Sequence, residues 1–158
     1  ALTLWPGSCE VHERFSEEQL LAMRAANPGA AIAAHPECPD AILRHADCVG
    51  STRVLLDYVG NTPADTVIVA TEQHILHQMR QLAPEKMLVA APGSDGSCQC
   101  ASCPYMGLNT LDKLKACLET LGPRIEISEE TRAAAERPLR RMLELSAGIG
   151  SSVGAGPR

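Results

Sequence analysis

Three of the chain's seven cysteines lie within six residues of one another, in a segment without hydrophobic periodicity. They are Cys98, Cys100 and Cys103, and Pro104 follows the last of them directly. Thiolates are soft ligands, so this short spacing lets neighbouring side chains bind one metal ion or cluster. A cysteine followed by proline is also typical of iron–sulfur ligand runs. A redox pair formed by Cys100 and Cys103, and one half of a zinc site, remain open alternatives.

Two further cysteines lie in more ordinary surroundings. Cys9 follows a Pro-Gly turn near the beginning of the chain, and His12 comes three residues later. Locally these two could be a loop cysteine and a surface histidine, and spacing alone does not pair Cys9 with Cys103. Cys117 falls on the apolar side of a predicted helix, so we expect it to be a packing residue.

A second group of polar residues follows a short apolar run at residues 30–34. His35 and Glu37 come directly after this run, on a segment braced by Pro36. An imidazole and a carboxylate at the end of a buried strand form a candidate pair for acid–base chemistry or hydrogen bonding.

Hydroxyl groups begin a helix that the pattern predicts from residue 52. Ser51 and Thr52 lie where free backbone amides and the positive end of the helix dipole favour a carboxylate or a phosphate. Helix capping is the simpler interpretation of Ser51, and also of Thr71 after the next apolar run. Glu72, in a predicted first helical turn, is most simply a partner of the helix dipole.

The elements that position these residues alternate between strands and helices. The pattern predicts a helix that Ser16 caps and that Pro28-Gly29 ends. Predicted strands occupy residues 30–34, 66–70 and 87–90, and predicted helices run from Pro39 to about Ala46, from 52 to about 60 and from 72 to 82. Residues 91–106 read as a loop, 110–121 and about 129–145 as helices, and 124–127 as a short strand. We leave residues 148–158, rich in Gly and Ser, as disordered.

This alternation predicts an α/β fold: a three-layer α/β/α unit with a short parallel sheet, flanked by C-terminal helices. In such folds ligands bind beyond the carboxyl ends of the strands, where His35 and Glu37 are expected. We assign residues 16–109 to this unit, 110–148 to closing helices and 149–158 to a tail.

Charge and hydropathy exclude some classes of partner. The 158 residues include 14 Lys and Arg against 19 Asp and Glu, a net charge of −5 without a basic block, so a nucleic-acid partner is not expected. No apolar run approaches the ~18 residues of a membrane span, so we expect no membrane partner. The start of the sequence lacks a signal-peptide pattern, and clustered cysteines then favour a reducing cytoplasm.

Taken together, the motifs resemble those of quinolinate synthase, in order and context, over about residues 4–145. The matching segments are Trp5-Pro6-Gly7-x-Cys9-x-Val11-His12-x-x-Phe15, His35-Pro36-Glu37-Cys38-Pro39, Val49-Gly50-Ser51-Thr52, Ala70-Thr71-Glu72 and Cys100-x-x-Cys103-Pro104-Tyr105-Met106, with Asn109 beyond. Each segment alone is weak, but the combination is highly specific.

The resemblance implies a [4Fe–4S] enzyme of NAD biosynthesis. Its members condense iminoaspartate with dihydroxyacetone phosphate to quinolinate, with the cluster acting as a Lewis acid. By motif position Cys9 and Cys103 resemble two of the three cluster ligands, while Cys100 resembles a non-ligand redox partner and Cys98 has no assigned role.

The resemblance also assigns roles at the strand ends. It implies that His35 and Glu37 bind substrate and act in acid–base steps, with His12 facing the cavity near the cluster. It implies substrate binding by Thr52, whose hydroxyl would hold a carboxylate. It also implies substrate binding by Ser51, which precedes Thr52, and by Pro36, which lies between His35 and Glu37.

Family chains are about twice this length, and their first half carries the third cluster cysteine. The resemblance implies that residues 1–15, with Cys9, are the end of a preceding α/β/α domain. The chain is therefore expected to need that N-terminal half, in an intact chain or as a partner, and to be inactive alone. The alternative function is a non-catalytic iron–sulfur or zinc-binding module that uses Cys98, Cys100 and Cys103. Dependence of the bound metal on Cys98 and Cys100, instead of on Cys9 and Cys103, would favour it.

Overall fold

The computed structural model describes residues 7–93 and 102–147, and the chain divides into two compact units, residues 1–109 and 110–158. Cys98 and Cys100 lie outside the described residues, as does the predicted tail. The helices and strands of the first unit are α1 (Glu10–Glu13), α2 (Glu17–Ala26), β1 (Ala31–Ala34), α3 (Asp40–Leu43), β2 (Cys48–Val49), α4 (Thr52–Asn61), β3 (Thr66–Ala70), α5 (Ile75–Leu82) and β4 (Met87–Ala90), followed by a 3₁₀ turn at Met106–Leu108.

The four strands form one parallel sheet in the order β2-β1-β3-β4. In the central pair Ala31 is opposite Val67 and Ala34 is opposite Ala70, so β1 and β3 end at the same level. All four residues of β1 are buried, as expected for a parallel strand covered on both faces. The predicted α/β class with a short parallel sheet is confirmed.

Successive side chains of a strand point to opposite faces of the sheet, so the strands contribute to two separate apolar clusters. Ile32 and Ile68 belong to one cluster, together with Leu20 of α2 and Ile42 of α3. The other cluster joins strand residues to α4 and α5, and its members include Ala33, Leu55, Val59, Val67, Val69, Met79 and Leu88. Full burial of a Leu, Ile or Met side chain contributes about 1.5–3 kcal/mol, so these clusters hold the two helical layers on the sheet.

The first long helix begins and ends at the residues that the sequence indicates. The amide of Gln19 donates to Ser16 Oγ at 3.4 Å, which is the capping contact that the Ser-x-x-Gln pattern predicts. Gly29, with φ of +83°, makes the left-handed turn that leads into β1.

Several element limits differ from the prediction. Helix α3 ends at Leu43 instead of about Ala46, and α5 begins at Ile75 instead of Glu72. The two-residue edge strand β2 and the single-turn helix α1 were not anticipated. Elements this short carry too few residues to establish a hydrophobic period.

Two expectations in the second unit are wrong. Residues 124–127 form no strand, because an alternating pattern stabilises a strand only where a neighbouring strand and a core accept it, and Ile125 is 85% exposed. Cys117 is exposed instead of packed.

The second unit contains two helices, α6 (Leu111–Thr120) and α7 (Glu129–Ser146). Each has a side-chain cap: Thr110 accepts from the amide of Lys113 at 3.2 Å, and Ser128 accepts from the amide of Thr131 at 3.2 Å. Ion pairs spaced by three or four residues add support along α7, as between Arg132 and both Glu129 and Glu136. None of the residues described between 110 and 147 is buried.

Within the two described ranges, no helix combines the length and the apolar character needed to cross a membrane.

Candidate functional site

A cavity of about 430 Å³ opens beyond the carboxyl ends of β1 and β3. His35 and Glu37 follow β1, Thr71 and Glu72 follow β3, and Thr52 begins α4. Parallel strands end at one edge of the sheet, so this topology brings residues from separate segments together. The lining residues are His12, His35, Glu37, Thr52, Thr71, Glu72, His74, Ile75, Gln78 and Met106.

His12 is the most enclosed titratable side chain of the cavity wall, with 6% of the residue exposed. Its Nδ1 lies 3.1 Å from Oε2 of Glu37 and its Nε2 lies 3.2 Å from Oγ1 of Thr71. The imidazole also stacks on that of His35, with ring centroids 4.4 Å apart and planes 8° from parallel. Three contacts from two strand ends therefore fix the position and orientation of this ring.

Burial lowers the pKa of His12, and the nearby His35 lowers it further against the opposing effect of Glu37. The neutral imidazole is therefore favoured in the folded protein. A neutral ring donates through one nitrogen and accepts through the other. The Glu37 carboxylate can only accept and the Thr71 hydroxyl can do both, so in the isolated site Nδ1–H donates to Glu37 and Nε2 accepts from Thr71.

Glu37 lies beside two imidazoles. Its Oε2 is 3.6 Å from Nδ1 of His35, and its own amide donates to that nitrogen at 3.4 Å. The backbone of His35 is held by a hydrogen bond from its amide to the carbonyl of Ala70 at 3.0 Å. The Glu37 side chain remains 56% exposed, which leaves this carboxylate open to a ligand or to solvent.

Thr52, one of the two predicted hydroxyl residues, lines the cavity, whereas Ser51 does not. Pro36, which lies between His35 and Glu37, does not line it either. Ser51 lies at the N-cap of α4 but its side chain makes no capping hydrogen bond, so the capping interpretation is not supported. The turn before it requires glycine, because a Cβ on Gly50 would lie 2.4 Å from Cγ1 and 2.6 Å from Cβ of Val54.

The two predicted cluster ligands in the described residues lie next to cavity residues. A ligand atom of Cys9 lies within 4.8 Å of those of His12 and Glu37. The amide of Cys103 donates to Oε1 of Glu72 at 3.3 Å. Both cysteines are half-buried free thiols.

Thr71 and Glu72 have roles that the sequence interpretation missed. Thr71 does not cap a helix but hydrogen-bonds to His12. Glu72 precedes α5 instead of lying in its first turn, and its carboxylate accepts from Nδ1 of His74 at 2.5 Å as well as from the Cys103 amide. Their position directly after β3 could have identified them as site residues, because the same position after β1 identified His35 and Glu37.

The arrangement offers paired proton donors and acceptors beside a polar cavity. His12, His35 and Glu37 form one contiguous group, and Thr52 adds a hydroxyl from the start of a ten-residue helix. Such a group can move protons on a bound substrate, while the start of the helix favours an anionic part of it.

Comparison with known proteins identifies the same family that the sequence motifs resemble. Residues 1–144 match the family model described as quinolinate synthetase A protein. The chain is 50% identical over 145 residues to the quinolinate synthase of Thermosynechococcus vestitus and 53% identical over 146 residues to that of Synechococcus sp., covering 92% of this chain and 46% of each relative. It is 47% identical over 145 residues to the quinolinate synthase of Chloroherpeton thalassium, covering 92% of this chain and 45% of that relative.

Proposed function

The chain belongs to the quinolinate synthase family, and from this premise we propose that it supplies the acid–base and substrate-binding half of a quinolinate synthase active site. The proposed reaction condenses iminoaspartate with dihydroxyacetone phosphate and releases phosphate and water, as a step of NAD biosynthesis. The observation that carries the proposal is the group of His12, His35 and Glu37 around one cavity at the strand ends.

The chain spans about half the length of the curated relatives that it matches. We therefore propose that the complete site also uses the region that corresponds to their first half, which would supply the remaining cluster ligand. Cytoplasmic location is part of this proposal, because free thiols suit a reducing compartment.

The residues present fit a [4Fe–4S] cluster in their donor chemistry. Cys9 and Cys103 are free, half-buried thiols, and each lies next to a residue that lines the cavity. Thiolates are the usual ligands of iron–sulfur clusters, and Pro104 follows Cys103 as in known ligand runs. When bound, the cluster would supply a Lewis-acidic iron that polarises a substrate oxygen.

In the proposed mechanism His35 and Glu37 exchange protons with the substrate during the condensation and dehydration steps. Glu37 is exposed enough to reach a substrate, and its Oε2 lies 3.6 Å from Nδ1 of His35, so both groups can contact one bound substrate. His12, neutral and fixed by Thr71, orients the Glu37 carboxylate toward the cavity. Thr52 binds an anionic group with the amides at the start of α4.

The test is a chimera that joins this chain to the first half of the Synechococcus relative, assayed anaerobically for quinolinate. We expect turnover by the chimera, with His35→Ala or Glu37→Gln lowering kcat by at least about 100-fold, since general acid–base catalysis contributes about 10²–10⁴-fold. Glu85→Gln, at an exposed carboxylate outside the cavity, is the matched control.

Cluster absorption separates this function from its alternative. We expect Cys9→Ser and Cys103→Ser to abolish the brown colour of the reconstituted chimera, and Glu37→Gln to retain it. Colour that depends on Cys98 and Cys100 instead, with unchanged product formation in the His35→Ala variant, would indicate a non-catalytic metal-binding module.

A further inference from the structure

Cys9, His12 and Glu37 bring three different metal-ligating atoms to within 4.8 Å of one another. They come from the N-cap position of α1, its third residue and the segment after β1. We propose that, in the chain without an iron–sulfur cluster, these three residues bind a single Zn²⁺ ion. This inference concerns the cluster-free chain and does not rest on the proposed catalytic function.

The spacing of the ligand atoms fits one zinc ion. Tetrahedral coordination at zinc–ligand distances of about 2.0–2.3 Å separates neighbouring ligand atoms by about 3.3–3.6 Å. Nδ1 of His12 and Oε2 of Glu37 are already 3.1 Å apart, so an ion between them needs a small widening of this contact. The Glu37 side chain is 56% exposed and can make that adjustment, whereas His12 is fixed.

The donor set also favours zinc over the hard divalent cations. One sulfur, one imidazole nitrogen and one carboxylate oxygen together suit a borderline ion, whereas Mg²⁺ and Ca²⁺ bind through oxygen. Three protein ligands beside a cavity leave a fourth position for water, which is the usual arrangement of non-structural zinc sites.

Thr71 supplies the hydrogen-bond partner that holds the ring of His12 in the proposed zinc site. Histidines that bind metals usually hydrogen-bond through their other ring nitrogen, which fixes the ring and its tautomer. Nε2 of His12 has such a partner in Oγ1 of Thr71, at 3.2 Å in a buried position. When zinc binds Nδ1, the ring proton moves to Nε2, which then donates to the Thr71 hydroxyl, and the Cys9 thiol releases its proton to solvent.

The test is a titration of the reduced, cluster-free 158-residue chain with Zn²⁺ under anaerobic conditions, in competition with a chromophoric chelator. Co²⁺ then serves as a spectroscopic probe of thiolate coordination. We expect the cobalt–thiolate charge-transfer band to disappear in Cys9→Ser, and zinc affinity to fall sharply in Glu37→Gln and His12→Asn. Thr71→Val should weaken binding by about 10- to 100-fold, as loss of a ligand's hydrogen-bond partner does.

Two matched variants separate this site from the loop cysteines and from nearby acidic groups. Cys103→Ser should keep both the cobalt band and the zinc affinity, Glu72→Gln should keep the cobalt band, and circular dichroism should show that every variant folds. Glu37→Gln alters an exposed side chain, so it tests the site even if His12→Asn disturbs folding. Zinc binding that survives Cys9→Ser and Glu37→Gln, or that is lost in Cys103→Ser, would overturn the proposal.

Failure of this inference and failure of the proposed function are distinguishable. The zinc titration uses the chain alone and measures metal affinity, whereas the proposed function is measured as quinolinate formation by the chimera. Zinc binding with the expected variant pattern supports the inference even if the chimera is inactive, and a working chimera gives no support if the zinc pattern is absent.

Discussion

Cys38 shows how strongly the surroundings of a thiol control its reactivity. It is 4% exposed, and its Sγ–H donates to the carbonyl of Ala70 at 3.3 Å. Burial raises the pKa of this thiol to about 12. Since the thiolate is the reactive form, we expect iodoacetamide at about pH 8 to modify Cys9 and Cys103 while leaving Cys38 unmodified in the folded chain.

Peptide mass spectrometry after timed quenching measures this difference directly. Unfolding in denaturant is the control, because it should let Cys38 react like the other thiols. Native-state labelling of Cys38 as fast as that of Cys9 would contradict the prediction.

Glu72 is the residue that we expect to hold Cys103 near the cavity. Its carboxylate is largely buried and accepts from the Cys103 amide at 3.3 Å. The adjacent Gln73 side chain hydrogen-bonds to Ser102, so two consecutive residues contact the segment before Pro104. A hydrogen bond to a charged acceptor contributes about 1.5–3 kcal/mol, so Glu72→Ala should speed exchange of the Cys103 amide hydrogen by at least about tenfold.

Hydrogen exchange followed by mass spectrometry of a peptide that begins at least three residues before Cys103 measures this release. Glu72→Gln keeps a carbonyl acceptor and should restore most of the protection, whereas Glu85→Ala should have no effect. Equal exchange in Glu72→Ala and the unmodified chain would show that Glu72 does not position Cys103.

The sequence predicted the residues after β1 more fully than those after β3. His35 and Glu37 stand out because an imidazole next to a carboxylate has no common structural purpose at a strand end. Thr71 and Glu72 have simple structural explanations, as a helix cap and as a partner of the helix dipole. These explanations were preferred, so the contacts of Thr71 with His12 and of Glu72 with Cys103 were not predicted. Cys9 and His12 lie close to Glu37, which is more than 20 residues away in the sequence, and no local pattern predicts this proximity.

At the scale of elements, a contact between Glu17 and His45 links α2 to the segment that precedes β2. Oε1 of Glu17 lies 2.7 Å from Nε2 of His45. This hydrogen bond lowers the pKa of Glu17 below its ordinary value of 4.5. The folded chain therefore favours the carboxylate, and the stabilisation is present above the ordinary pKa of Glu and is lost as the pH falls through the lowered value.

We therefore expect Glu17→Gln to lower the Tm at about pH 6, and this effect to shrink as the pH falls below the ordinary pKa of Glu and through the lowered value. Thermal melts at several pH values measure this difference. Glu18→Gln changes a neighbouring exposed carboxylate and should show no such dependence. A Tm difference for Glu17→Gln that is constant over this range would contradict the assigned interaction.

Element type was predictable wherever the hydrophobic period extended over several turns or a full strand. The capped helix at Ser16 and the strand at residues 66–70 are both present in the structure, because capping and burial act in the same direction there. The prediction failed at 124–127, where an alternating pattern has no neighbouring strand in the described part of the chain. Strand pairing depends on distant residues, so alternation alone cannot establish it.

At the scale of the whole molecule, the buried side chains are distributed unevenly between the two units. Every buried hydrophobic residue of the described ranges lies between Val11 and Ala91. Helices α6 and α7 instead expose apolar side chains, such as Leu114, Leu118 and Leu143. Helices without a buried face rely on caps and ion pairs, which contribute only about 0.2–2 kcal/mol each.

Cooperative unfolding should therefore belong to the first unit. We expect a chain ending at Asn109 to melt cooperatively with a Tm within about 5 °C of that of the full chain, because the described core remains intact. A peptide of residues 110–158 should lose its helical circular dichroism gradually on heating, since marginal helices without tertiary packing melt without a sharp transition. Added salt should lower its helicity further, because the ion pairs of α7 are exposed to solvent. A sharp transition in this peptide, or loss of the transition in the shortened chain, would mean that the stability of the molecule depends on the second unit more than its exposed side chains imply.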